Sequence, residues 1–251
     1  MVSNRQDCAP AYCVRVPPPT ALRFQKLRSI LYNPQLDPAT TRSDSAYFSP
    51  MINYLDQLVG RITNKLHELG QYHRTLVLFT TDNGTHRNIF SQHETGQIQG
   101  RKGFPVASGT HVPLIAYWPG TIQPGTTSDA LIDFTDFLPT LMDVAGDLLP
   151  HDYTVDGLSF YDQLIGQADT TRDWIYCHYD PRWGQFESTR WAHDHTWKLY
   201  GNGKFFNCSK DPEELYALDD STLDKRAYQS KAKLQSILDQ MSLSPQTVPQ
   251  E

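Results

Sequence analysis

The run Thr80-Thr81-Asp82-Asn83-Gly84 closes an apolar segment with two hard oxygen donors side by side. Carboxylate and carboxamide oxygens suit Ca²⁺ or Mg²⁺ rather than a soft metal, and a Ca²⁺ shell of about six to eight oxygens needs further ligands from elsewhere. Without an ion, the same residues read as an Asx-type turn. Further along, Gly100-Arg101-Lys102-Gly103 sets a cation pair between glycines. An ammonium is a compact point charge that can pin an oxyanion and neutralise charge on a leaving oxygen, as sulfuryl or phosphoryl transfer requires. An exposed loop lysine is the plain alternative. His86, His93, His111, His178, His193 and His195 are candidates for proton transfer or metal ligation. His111 lies on the segment leading from Lys102 into the next apolar run, and His178 is a candidate for substrate contact. His193-Asp194-His195 sets two imidazoles on one face of a predicted strand, which suits either a transition metal or a decorated hairpin face.

These residues depend on the elements around them. Met51, Ile52, Leu55, Leu58, Val59, Ile62, Leu66 and Leu69 recur by threes and fours, which predicts a long amphipathic helix. Ser49 is its expected cap, Pro50 its first turn and Gly70 its left-handed close. Thr75–Thr80 reads as a strand covered on both faces and hence as part of a parallel sheet, with Asp82 and Asn83 just past its carboxyl end, where α/β sheets bind ligands. Val112–Trp118 is a second strand, with Pro113 near its start or on an edge. Asp136–Ala145 is a helix closed by Gly146. Beyond about residue 165 the rhythm becomes antiparallel. Trp174–Tyr179 is a strand, and Trp197–Tyr200 and Lys204–Phe206 flank Gly201-Asn202-Gly203 as a hairpin with a type I′ turn. A helix over about 223–241 follows, carrying Ala227, Leu234, Ile237, Leu238 and Met241 on one face.

The chain has 251 residues, enough for one large domain or two modest ones, and its 39% apolar content is that of a folded protein. A net charge of -6 with no basic stripe argues against nucleic acid as a partner. No apolar run reaches the length of a membrane span. The opening MVSNRQDCAPAYCVRVPPP lacks an apolar stretch of signal-peptide type. Cys8, Cys13, Cys177 and Cys208 follow no metal-finger spacing. Residues 1–45, rich in proline, read as an irregular lead-in. The α/β part then spans 46–165, an antiparallel sheet with a helix spans 166–243, and 244–251 is a tail.

In order along the chain, YLDQLVGRITNKLHELGQYHRTLVLFTTDNGT, GRKG, ASGTHVPLIAYWPG, DFTDFLPTLMDVAG and DGLSFYDQLIG resemble the C-terminal half of a sulfatase of the alkaline-phosphatase superfamily. RDWIYCHYDPRWG and TWKLYGNGKFFNCSKDPEELYAL resemble the strands and hairpin of that family's C-terminal subdomain. The resemblance covers about residues 46–240. It implies an α/β fold, part of an alkaline-phosphatase-like α/β/α sandwich, followed by a small antiparallel sheet with a C-terminal helix.

By position, the resemblance makes Asp82 and Asn83 ligands of a divalent cation, Ca²⁺ or else Mg²⁺, and Lys102 the sulfate contact. The implied activity is sulfuric ester hydrolysis: a formylglycine hydrate attacks sulfur, metal and lysines stabilise charge, and histidines such as His111 move protons. The implied substrate is a sulfated small molecule or glycan. Members of the family are commonly secreted, periplasmic or lysosomal. The chain departs from the family at Ala107-Ser108-Gly109-Thr110-His111, where many members carry Glu-Gly-Gly-x-Arg. It also shows no Cys/Ser-x-Pro-Ser-Arg signature, since Cys8-Ala9-Pro10-Ala11-Tyr12 lacks the Ser and Arg. The expectation is a polypeptide without the upstream half of the site and inactive by itself. A phosphodiesterase or phosphonate hydrolase of the same superfamily, and a non-enzymatic calcium- or sulfated-glycan-binding remnant, are the alternatives.

Overall fold

The structure, a computed structural model, describes residues 14–15, 45–93, 96–149, 153–168, 172–181 and 186–243. Cys8 and Cys13 lie outside the described residues. Strand β1 (Val14–Arg15) falls inside the segment read from sequence as an irregular lead-in, and it gains its pairing from partners far along the chain. Helix α1 (Ser45–Glu68) starts ahead of its expected cap, so Pro50 sits inside it. A proline there removes a single intrahelical hydrogen bond, a local loss that a helix of this length absorbs. The close at Gly70 is as expected: φ is +66°, its amide donates to His67 O at 3.0 Å, and the Gln71 amide donates to Leu66 O at 2.9 Å, a Schellman arrangement. The apolar positions Met51, Ile52, Leu55, Ile62 and Leu69 are exposed, so periodicity specified a helix without specifying what covers it.

Strand β2 (Val77–Thr80) leads through the hairpin β3 (Phe90–His93) and β4 (Gly96–Gln99), and the short helix α2 (Ala107–Thr110), into β5 (Leu114–Tyr117). The first sheet has the order β2-β5-β1-β6, with β6 at Thr127–Ser128. Here the expected parallel arrangement is corrected. β2 and β5 are antiparallel, with Val77 opposite Tyr117 and Thr80 opposite Leu114, while β1 and β5 are parallel. The apolar run of β2 encodes burial, not direction. Its residues are half-buried at the sheet's edge, whereas Leu114 and Ala116 of β5 are fully buried. Antiparallel pairing lets the connection leave and return at one rim of the sheet. Leu114, Ala116, Ile132, Phe160 and Leu164 form the core beneath it.

Helix α3 (Phe137–Ala145) closes at Gly146, as the sequence predicts, and α4 (Tyr161–Leu164) packs against it. At the base of α3 lies a buried polar joint. Arg172 donates to Asp133 at 2.9 Å and also to Asp136, which in turn accepts from the Asp133 amide at 2.8 Å and the Leu158 amide at 2.7 Å. Arg172 lies just before the second sheet, so this joint ties the two parts of the chain together.

The second sheet is antiparallel throughout, in the order β10-β9-β8-β7: β7 (Ile175–Tyr179), β8 (Thr189–His193), β9 (Trp197–Tyr200) and β10 (Phe205–Asn207). Helix α5 (Lys225–Leu243) lays Ala227, Leu234, Ile237 and Leu238 on Ala192, Trp197, Leu199 and Phe205. The hairpin around Gly201-Asn202-Gly203 forms, but with a different turn. Only Gly203 has positive φ, +86°, and its amide donates to Tyr200 O, giving a three-residue loop ending in a left-handed glycine instead of type I′. No helix among the described residues is long and apolar enough to cross a membrane.

Candidate active site

Asp82 and Asn83 follow β2 directly, and the turn they occupy is bonded to the loop entering β5, since the Gly84 amide donates to Gly109 O at 2.8 Å. The Lys102 amide donates to Thr85 O at 2.9 Å, and the Gly100 amide to Ile89 O at 2.9 Å. Three loops separated in sequence are thus stitched together at one rim of the first sheet. The glycines make the stitching possible. A Cβ on Gly84 would overlap the Ser108 carbonyl oxygen. One on Gly100 would overlap the Thr85 and His86 carbonyls, and one on Gly109 the Arg101 and Phe104 carbonyls. Such close backbone approach is available only to glycine.

Asp82 and Lys102 are exposed and Asn83 is half-buried. No side-chain hydrogen bond or ion pair joins any of the three to another described residue. An Asx turn is therefore not what Asp82 and Asn83 form, and their oxygens remain available to a cation. His111 follows α2, two residues beyond Gly109, with its amide donating to Ala107 O at 2.8 Å, and burial holds its imidazole below the ordinary 6.5. A ring neutral at neutral pH is ready to take a proton. His178 is different: it is exposed on β7, opposite Arg190, in the second sheet.

The His193-Asp194-His195 segment is corrected. β8 ends at His193, and Asp194 turns the chain by accepting from the Thr196 and Trp197 amides at 2.8 and 2.7 Å, so the imidazoles do not share a strand face. Among the described residues no group of three or more His, Cys, Asp or Glu could hold a metal. Burial first, and the Lys198 charge second, hold His193 down at about 4 from an ordinary 6.5. Between those values the unfolded chain binds a proton that the folded chain refuses, so stability falls as pH drops through that window. His193→Gln is expected to flatten this part of the profile by about 2 kcal/mol, the ring being only half-buried. Urea melts at about pH 7 and pH 4.5 check it.

Sequence reasoning missed two groups. One is the Asp133, Asp136 and Arg172 joint. The other is Lys198, 4% exposed, which donates to the Pro105 carbonyl on the Lys102 loop and to Glu214 at 2.8 Å. A lysine inside the alternating run Trp197-Lys198-Leu199-Tyr200 was the available signal, since an inward charge demands a partner.

The sulfatase family model matches residues 6–147, and the model for the C-terminal part of N-sulphoglucosamine sulphohydrolase matches residues 101–244. The first match takes in residues that composition alone had set apart as a lead-in. The chain is 34% identical over 154 residues to the uncharacterized sulfatase YdeN of Escherichia coli, covering 59% of this chain and 27% of that protein. It is 35% identical over 136 residues to human arylsulfatase A, covering 54% and 26%. The structure of BT4656 in complex with its substrate D-glucosamine-2-N,6-O-disulfate superposes with a TM-score of 0.63 at 24% identity, over 79% of this chain and 41% of that one. PsFucS1 sulfatase from Pseudoalteromonas superposes with a TM-score of 0.61 at 22% identity, over 79% and 43%. These neighbours share the alkaline-phosphatase-like fold.

The fold is thus that of an alkaline-phosphatase-like α/β protein, with the loops after β2 and before β5 bonded together at one rim of its first sheet. The chain belongs to the sulfatase family. Its match spans about a quarter of the length of the two curated relatives named above. The family's members are sulfuric ester hydrolases, which generally use a formylglycine and a divalent metal.

Proposed function

We propose that this chain carries the cation-holding and sulfate-gripping part of a sulfuric ester hydrolase site, acting on a sulfate monoester of a small molecule or glycan. The observation behind the reading is the stitching of the Asp82-Asn83 turn, the Lys102 loop and the His111 loop by backbone hydrogen bonds at one rim. Asp82 and Asn83 are two hard donors with no competing partner, which suits part of a Ca²⁺ shell but not the whole of it. A cation there would supply Lewis-acid stabilisation of charge on the sulfate oxygens. Lys102 adds a fixed positive charge for the same oxygens. His111, whose pKa burial lowers, is our candidate for the group that takes up a proton during the reaction. The disulfated glucosamine on BT4656 favours a sulfated sugar as the substrate class.

Titration calorimetry tests this. Lys102→Ala is expected to weaken binding of inorganic sulfate by about tenfold or more, because a single charge-assisted contact is worth roughly 1.5–3 kcal/mol. Replacing both Asp82 and Asn83 with alanine is expected to remove Ca²⁺ binding while leaving the fold intact. Turnover of an aryl sulfate that survives Lys102→Ala would overturn the reading.

A further inference from the structure

We propose that Lys198 is a positioning residue for the Lys102 loop, a strut through which the second sheet sets where the anion-binding ammonium stands. The proposal rests on the assignment of Lys102 above.

Lys198 sits on β9, whose other face is occupied by α5, and its ammonium lies over the Trp191 and Tyr200 rings, 4.7 and 4.9 Å from their centroids. It ends in contact with two acceptors. One is the Pro105 carbonyl, three residues beyond Lys102; the other is the Glu214 carboxylate at 2.8 Å, which also accepts from the Tyr200 hydroxyl. Glu214 is the one non-glycine residue with positive φ among the described residues, +55°. Its neighbour Glu213 reaches Arg101, immediately before Lys102, at 3.4 Å. Adjacent glutamates therefore hold both ends of the loop, one directly and one through Lys198. Phe186 closes the middle, its ring lying on Gly103 at φ +88° and edge-to-face with Phe104 at 5.5 Å.

A buried ion pair gives little stability over well-packed apolar residues of the same size. A methionine at position 198 could fill the aromatic slot as well as lysine does. What it could not do is fix a carbonyl on a neighbouring loop at one distance and direction. The arrangement has the form of a device for placement, and what it places is Lys102.

The test follows hydrogen exchange across residues 100–106 of the whole chain, with α5 residues 227–238 as internal reference, alongside inorganic sulfate titrations. Lys198→Met is expected to speed exchange in the loop by about tenfold with the α5 reference unchanged, and to weaken sulfate by about tenfold. Lys198→Arg keeps the donor and is expected to restore both. A purely structural role would instead raise exchange in loop and reference together, and that result, or unchanged loop exchange, overturns the proposal. Should Lys198→Met fail to fold, Glu214→Gln takes its place; a loop as protected as in the parent chain sinks the idea. Lys102→Ala separates the two readings: it is expected to lose sulfate with loop exchange unaltered. A parent chain that binds no sulfate overturns the assignment of Lys102 and leaves the exchange result to decide on Lys198.

Discussion

Arg172→Met is expected to lower the free energy of unfolding by about 3–5 kcal/mol at about pH 8, because it strands a buried carboxylate. Asp136 is fully buried, and Arg172 supplies the cation beside it and beside Asp133. Burial is the larger influence and lifts the Asp136 carboxyl to about 6, against the lowering pull of two backbone amides and of Arg172. Without the guanidinium, that carboxyl climbs further. The folded variant then binds a proton that the unfolded chain, at an ordinary 3.8, does not. Its stability accordingly rises as pH falls from the elevated folded value toward about 4. The defect should therefore be large at about pH 8 and visibly smaller at about pH 5, measured by urea unfolding against the parent chain. A deficit that is equal at both values would show that lost packing, not stranded charge, is the cause.

The second large effect is expected at Gly109. Its Cα faces the Arg101 and Phe104 carbonyls, and an added methyl would overlap both. Neither oxygen is on a flexible side chain that could swing away, so the Lys102 loop must move as a piece. Gly109→Ala is expected to cost about 3 kcal/mol and to abolish sulfate binding. Gly166→Ala, where only the left-handed backbone resists and no atom lies nearby, is the control, with an expected cost of about 1 kcal/mol. Thermal unfolding and sulfate titration of the two variants check the contrast.

These groups mark where sequence was informative and where it was not. Helix α3 was legible from its closing glycine and α5 from its apolar spacing, and of the predicted face Ala227, Leu234, Ile237, Leu238 and Met241 the first four are buried and Met241 partly so. Asp82, Asn83 and Lys102 were legible as types of residue in suggestive loops. Their adjacency was not, since the bonds Gly84 to Gly109 and Lys102 to Thr85 join segments whose proximity only the folded sheet creates. The direction of β2 relative to β5 was misread for a related reason: an apolar run reports burial and carries no information about which way its neighbour runs. Asp136 and Arg172 look like ordinary surface charges in the sequence, and only burial reveals that they are partners.

The pairing of Thr80 with Leu114 has one more outcome. Everything between them, including Asp82, Asn83, Lys102 and His111, departs from and returns to a single point on the sheet. Such a segment is a cassette. Lengthening it costs only about 0.6 kcal/mol for each doubling of loop size, and leaves the strands' own register untouched. An insertion at an exposed turn of the cassette therefore spares the scaffold only where it leaves the bonds Gly84 to Gly109 and Lys102 to Thr85 in place.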